Sequence, residues 1–154
     1  MPERGVDRGL YPLLVRHAVQ GYSQDGDPIG APGDQQGYFD FSGMGQMFSS
    51  ARDLVALITA HLGERPIDST ILQALRLTRQ SVFRMNPRTT QALAFEINDF
   101  GGPIIVDKPG GLNSSSTYIG MVLERRLGVV ILSNRGGQDL YEMARESLVP
   151  ALAR

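Results

Sequence analysis

The 154-residue sequence has no cysteine, only two histidines, and a single lysine among its 15 basic residues. Without cysteine there is neither a disulfide nor thiolate chemistry, and the redox compartment is left open. His17 and His61 lie far apart in sequence, so zinc has too few ligands. Asp25, Asp27, Asp34 and Asp40 lack the alternation and terminal glutamate of a calcium loop and read as solvated turn carboxylates. Neither a metal nor a cofactor is expected. Charge of one sign is also missing: 15 basic and 16 acidic residues leave a net charge of −1. That excludes a broad field for nucleic acid or an anionic membrane, and the arginines are not interleaved with aromatics. No apolar run reaches the roughly 18 residues that a membrane span needs. The opening MPERGVDRGLYPLL has no basic start leading into an apolar core, so it is not expected to be a signal peptide. No internal repeat is visible.

What is present fits one domain, 1–154, with 42% hydrophobic residues and enough length to bury a core. Residues 1–48 are loop-rich. LYPLLVRHAVQ is apolar but short, and GYSQDGDPIGAPGDQQGY is dense in turn residues, with Asp25-Gly26 a turn between two short extended pieces. Residues 49–78 read as helical. Ser50 caps a first helix, with Asp53 three residues on. Leu54, Leu57, Ile58, His61 and Leu62 share one face, and Gly63 closes the C-terminus. A second helix is predicted over 68–78. Residues 79–90 are polar and mixed. Strands are predicted over 91–133: QALAFEI (91–97), PIIVD (103–107), TYIGMVLE (117–124) and LGVVILS (127–133), the last two forming an antiparallel hairpin. Gly136-Gly137 breaks the sheet, and a terminal helix is predicted over 137–153, ended or kinked at Pro150. Segregated helices and strands imply an α+β fold, an antiparallel sheet of C-terminal strands packed with helices.

The only lysine, Lys108, follows a β-branched run and precedes Pro109-Gly110-Gly111. By itself it reads as an exposed lysine at a strand end followed by a turn. The stretch nevertheless resembles the Lys-Thr-Gly element of serine beta-lactamases and penicillin-binding proteins. Further matches follow in the family's order: GQMFSSARDLVALITAHL, QALAFEINDFGG, then STYIGMVLERRLGVVILSNRGG and a terminal helix. The resemblance is to class C beta-lactamases and the related esterases and D-alanyl-D-alanine carboxypeptidases. It spans nearly all of this chain but only the C-terminal part of a complete member.

The resemblance implies roles position by position. Lys108 matches the motif lysine, the catalytic-site cation that binds the substrate carboxylate. Pro109 stands where a hydroxyl residue is usual, so a donor to that carboxylate is lost. Gly110 matches the motif glycine, the Gly111 backbone falls beside the family's oxyanion hole, and Asn113 occupies the polar turn beyond. The implied partner is a small-molecule substrate carrying a carboxylate. The family's location is periplasmic or secreted.

The chemistry needs Ser-x-x-Lys, and three residues before the only lysine stands Ile105. None of the five tyrosines, Tyr11, Tyr22, Tyr38, Tyr118 and Tyr141, has asparagine two residues on. Both elements precede the matching region in the family, so the chain is expected to be a fragment of the fold, inactive alone. Ser114, Ser115 and Ser116 read as turn hydroxyls rather than a replacement nucleophile, because no base is placed beside them. His61 reads as a packed, hydrogen-bonded histidine. If LGVVILS keeps its place in the sheet, its outer edge is free to pair with a second copy or with a separate N-terminal half. The rival reading is a self-standing, non-catalytic binding or assembly module.

Overall fold

A computed structural model of the chain describes residues 17–32 and 47–153. Tyr11, Tyr38, Asp34, Asp40 and most of LYPLLVRHAVQ therefore lie outside the described residues. The first described element is a small hairpin of β1 (Gly21–Tyr22) and β2 (Pro28–Ile29). Its turn contains Asp25-Gly26 as expected. Gly26 sits at φ +97, where a side chain would be strained, and the Ser23 hydroxyl accepts the Asp27 N–H at 3.1 Å.

Two helices follow. α1 spans Ala51–His61, and its cap is the one read from the sequence: Ser50 accepts the Asp53 N–H at 3.2 Å and donates to the Asp53 carboxylate at 2.7 Å. Gly63 takes φ +73 beyond its end. Ile58, Ala60 and His61 are buried, whereas Leu57, predicted to share that face, is exposed. α2 spans Ser69–Thr78, capped by Asp68, which accepts the Thr70 N–H at 2.8 Å.

The remaining strands form one antiparallel sheet, β3 (Ser81–Arg84), β4 (Thr89–Ala92), β5 (Glu96–Asn98), β6 (Ile105–Leu112), β7 (Ser115–Val122) and β8 (Leu127–Ser133), in that spatial order. Two strand expectations need correction. In addition, the polar and mixed 79–90 stretch contains β3 and the start of β4. β3 is an edge strand with every residue exposed, so no buried face imposed an alternation to detect. The single strand predicted over 91–97 is two, joined by a turn at Leu93-Ala94. That turn is held because the Leu93 and Ala94 N–H groups donate to the Gln80 and Thr78 carbonyls just beyond and at the end of α2. The strand predicted to stop at Asp107 runs through Lys108-Pro109-Gly110-Gly111 to Leu112, and the chain turns at Asn113-Ser114. β5 pairs with β6 only as far as Asp107. Beyond it β6 has one edge without a strand partner among the described residues, where a proline costs no ladder hydrogen bond.

Leu123–Arg125 form a 3-10 turn into β8, with Arg126 left-handed at φ 53. The terminal helix, α3, is α-helical over Leu140–Glu142, π-helical over Met143–Leu148 and α-helical again over Val149–Leu152. Pro150 neither ends nor breaks it. It has no N–H to donate, and just before it the Val149 N–H reaches back five residues to the Ala144 carbonyl.

The sheet divides the core in two. On one face Ile58 of α1 packs with Ala92, Phe95, Val106 and Met121. Gly128 permits this approach, because a side chain there would collide with Ile58. On the other face Ala144 and Val149 of α3, with Ala153 just beyond it, pack with Ile105, Tyr118 and Val122. No helix among the described residues is long and apolar enough to cross a membrane.

Candidate functional site

Successive residues of β6 point to opposite faces of the sheet. In register, Val106, Lys108 and Gly110 lie opposite Met121, Ile119 and Thr117, on the α1 face. Asp107 and Pro109 lie opposite Gly120 and Tyr118, on the α3 face. Lys108 and Pro109 are thus neighbours in sequence whose side chains serve different sides. Lys108, Pro109 and Gly110 line a cavity of about 200 Å³ with Leu54, Thr117, Tyr118, Ile119 and Leu132. The Lys108 side chain is 51% exposed at this site. A Cβ at Gly110 would collide with the Thr117 hydroxyl that leans over it, so a side chain there would require Thr117 to rotate. Gly111 and Asn113 do not line the cavity. Gly111 is exposed with open space where a side chain would be. Asn113 sits in the exposed turn, its carbonyl packed so tightly against Gly136 that no side chain fits there.

Behind Lys108 lies a buried ionic network that the sequence reading missed. Asp107 is fully buried. Its Oδ1 accepts from Arg145 Nη2 at 2.7 Å and Asn98 Nδ2 at 2.9 Å. Its Oδ2 accepts from Arg145 Nε and from the Tyr118 hydroxyl, both at 2.9 Å. Four donors converge on the two oxygens, which fits an ionised carboxylate. Burial raises the Asp107 carboxyl, while Arg145 and Tyr118 pull against that rise. Burial also raises the Tyr118 hydroxyl, and Asp107 adds to it, so Tyr118 stays a donor. Gly120 leaves the room that the Tyr118 ring fills.

The network reaches the cavity through Glu96. Its Oε2 accepts from Arg145 Nη2 at 2.9 Å, and its Oε1 lies 3.8 Å from Lys108 Nζ. Burial works against the Arg145 cation, but Asp107 and Glu96 together hold it above its ordinary range. Arg145 comes from α3, 38 residues beyond Asp107. The one sequence signal was an acidic residue in the apolar strand PIIVD, which a strand buried on both faces tolerates only with a partner.

The other candidates separate from this site. Ser116, expected as a turn hydroxyl, lies instead within β7, where it is buried and its hydroxyl accepts the N–H of the distant Gln138 at 3.0 Å. Gly21 packs against Ser114. His17 is exposed. His61 is packed edge-on to Phe95, with ring centroids 5.3 Å apart. The hydrogen bond expected of it is missing at Nδ1, which is buried without a partner among the described residues. Its neighbour in charge, Arg79, likewise has a buried, unpartnered Nε.

Comparison with known proteins agrees with this architecture. The Beta-lactamase family model matches residues 12–151. The human beta-lactamase-like 1 protein is 31% identical over 163 aligned residues, covering 100% of this chain and 31% of that relative. The D-alanine carboxypeptidase AmpC of Burkholderia cenocepacia superposes with a TM-score of 0.73 at 21% identity, over 88% of this chain and 47% of that one. The class C beta-lactamase of Rhodobacter sphaeroides gives 0.71 at 21% identity, over 88% and 46%. The chain thus spans about a third of the human relative and under half of these structures. With the fold shared across nine-tenths of its length and the family model matched from end to end of its described core, the chain belongs to the beta-lactamase family.

Proposed function

We propose that this chain forms the lysine wall of a beta-lactamase-like acyl-transfer site and supplies no nucleophile of its own. In a complete site, a serine attacks the carbonyl of a beta-lactam, an ester or a D-alanyl peptide, and water then releases the acyl group. The observation that carries the reading is that Lys108 and Gly110, the two positions matching the family's motif, open together onto one cavity. Ser-x-x-Lys is absent from these residues, so the serine has to come from other polypeptide.

The test is intact-mass spectrometry after incubation with a beta-lactam and with an activated ester, with turnover followed in the same sample. Neither turnover nor a serine adduct is expected. A Lys108→Met chain run in parallel identifies direct acylation of the lysine. An adduct that maps to Ser114, Ser115 or Ser116 would overturn the proposal.

The same reading makes the outer edge of β8 the place where further chain joins. β8 is the last strand of the sheet among the described residues, and its sequence LGVVILS is apolar and β-branched. Light scattering at rising concentration is expected to show a dimer through this edge. A monomeric mass at all concentrations counts against this surface.

A further inference from the structure

The Lys108 ammonium does not stand alone. Lys108, Glu96, Arg145 and Asp107 form a continuous chain of contacts, two cations and two anions, in which Glu96 is shared between the lysine and the buried arginine. The cluster is therefore neutral as a unit. An incoming carboxylate meets no net positive charge and competes with Glu96 for Lys108, whose ammonium lies 3.8 Å from the Glu96 carboxylate. Displacement is hindered because Arg145 holds the other Glu96 oxygen at 2.9 Å, and the Glu96 side chain is only 16% exposed.

Two further features point the same way. Pro109, which also lines the cavity, has no N–H to donate into it. Leu54, Ile119 and Leu132 line the cavity with Lys108, and Thr117 supplies a hydroxyl. An apolar wall, one hydroxyl and a lysine already paired suit a carbonyl that is uncharged.

We infer that the Lys108 cavity takes an uncharged ester or acyl group in preference to a free carboxylate, with Glu96 as the residue that sets this preference. The inference rests on the proposed lysine wall and names the ligand class for it.

The experiment compares methyl phenylacetate with phenylacetate, which differ by the methyl that removes the charge. Because Lys108 is the only lysine, protein labelled with 13Cε-lysine gives one side-chain resonance that reports this cavity alone. In the wild-type chain the ester is expected to shift that resonance at lower concentration than the acid. Glu96→Gln keeps an acceptor for Arg145 but removes one negative charge. It is expected to tighten phenylacetate about fivefold, the range set by a charge pair at a half-exposed site, and to leave the ester unchanged. Tighter binding of phenylacetate than of the ester by the wild-type chain overturns the inference while leaving the lysine wall standing. So does an unchanged acid affinity in Glu96→Gln. If neither compound moves the resonance in either chain, the cavity is not a ligand site, and both the inference and the proposed function fall. Should Glu96→Gln not fold, the acid-against-ester order in the wild-type chain decides alone.

Discussion

Replacing Asp107 with alanine is expected to cost about 3–5 kcal/mol of folding stability, the range for breaking a buried ion pair by removing one partner. The side chain is fully buried and accepts four hydrogen bonds. Alanine leaves the Arg145 guanidinium buried against the sheet with only Glu96 to oppose it, and leaves Asn98 and Tyr118 each short of a partner. Most of the cost is that uncompensated charge rather than the net worth of the pair. The double change Asp107→Leu with Arg145→Met removes both charges and fills the space. It is therefore expected to recover much of the loss. Urea unfolding followed by far-UV circular dichroism measures all three chains, and a cost below about 1 kcal/mol for Asp107→Ala would mean that the network does not hold α3 to the sheet.

Acid is expected to destabilise the chain through His61, and a variant isolates the effect. Burial, with Arg79 adding to it, lowers His61 from 6.5 to about 4. The unfolded chain takes up this proton as pH falls through 6.5, while the folded chain resists it until about 4. Stability is complete above the unfolded value and falls progressively across that window, by about 3 kcal/mol in all. Below the folded value no further loss comes from this residue. His61→Leu keeps an apolar side chain against Phe95 and has nothing to titrate. It is expected to match the parent chain near pH 7 and to exceed it by about 2–3 kcal/mol at pH 4.5, from the same linkage. Parallel unfolding curves at pH 7.5, 6.0, 5.0 and 4.5 measure the difference. Parallel pH dependence in the two chains would place the acid sensitivity elsewhere.

The two results bear on different parts of the molecule. Asp107 joins the terminal helix to the strand that carries Lys108, whereas His61 lies on the opposite face with Phe95 and α1. An Asp107 defect is expected to reach the Lys108 cavity through Glu96.

Local chemistry determined a definite share of this protein. The Ser50 cap, the Gly63 stop, the Asp25-Gly26 turn, the β7–β8 pairing and the α+β class were readable because each depends on residues close in sequence or on a simple burial period. Lys108, Pro109 and Gly110 stand out as candidates through a motif three residues long, and they line one cavity. β3 was hidden because an exposed edge strand leaves no periodic trace, and the β4–β5 turn because carbonyls at the end of α2 hold it. The passage of β6 through Pro109 was decided by where β5 stops pairing. The ionic network was decided only by tertiary structure. Glu96, Asp107 and Arg145 are spread over 50 residues, and although Asp107 in its apolar strand calls for a partner, nothing local says that the partner is Arg145. A buried carboxylate is stable only where a distant guanidinium is folded onto it, so the charge state around Lys108 belongs to the assembled sheet and helix rather than to any stretch of sequence.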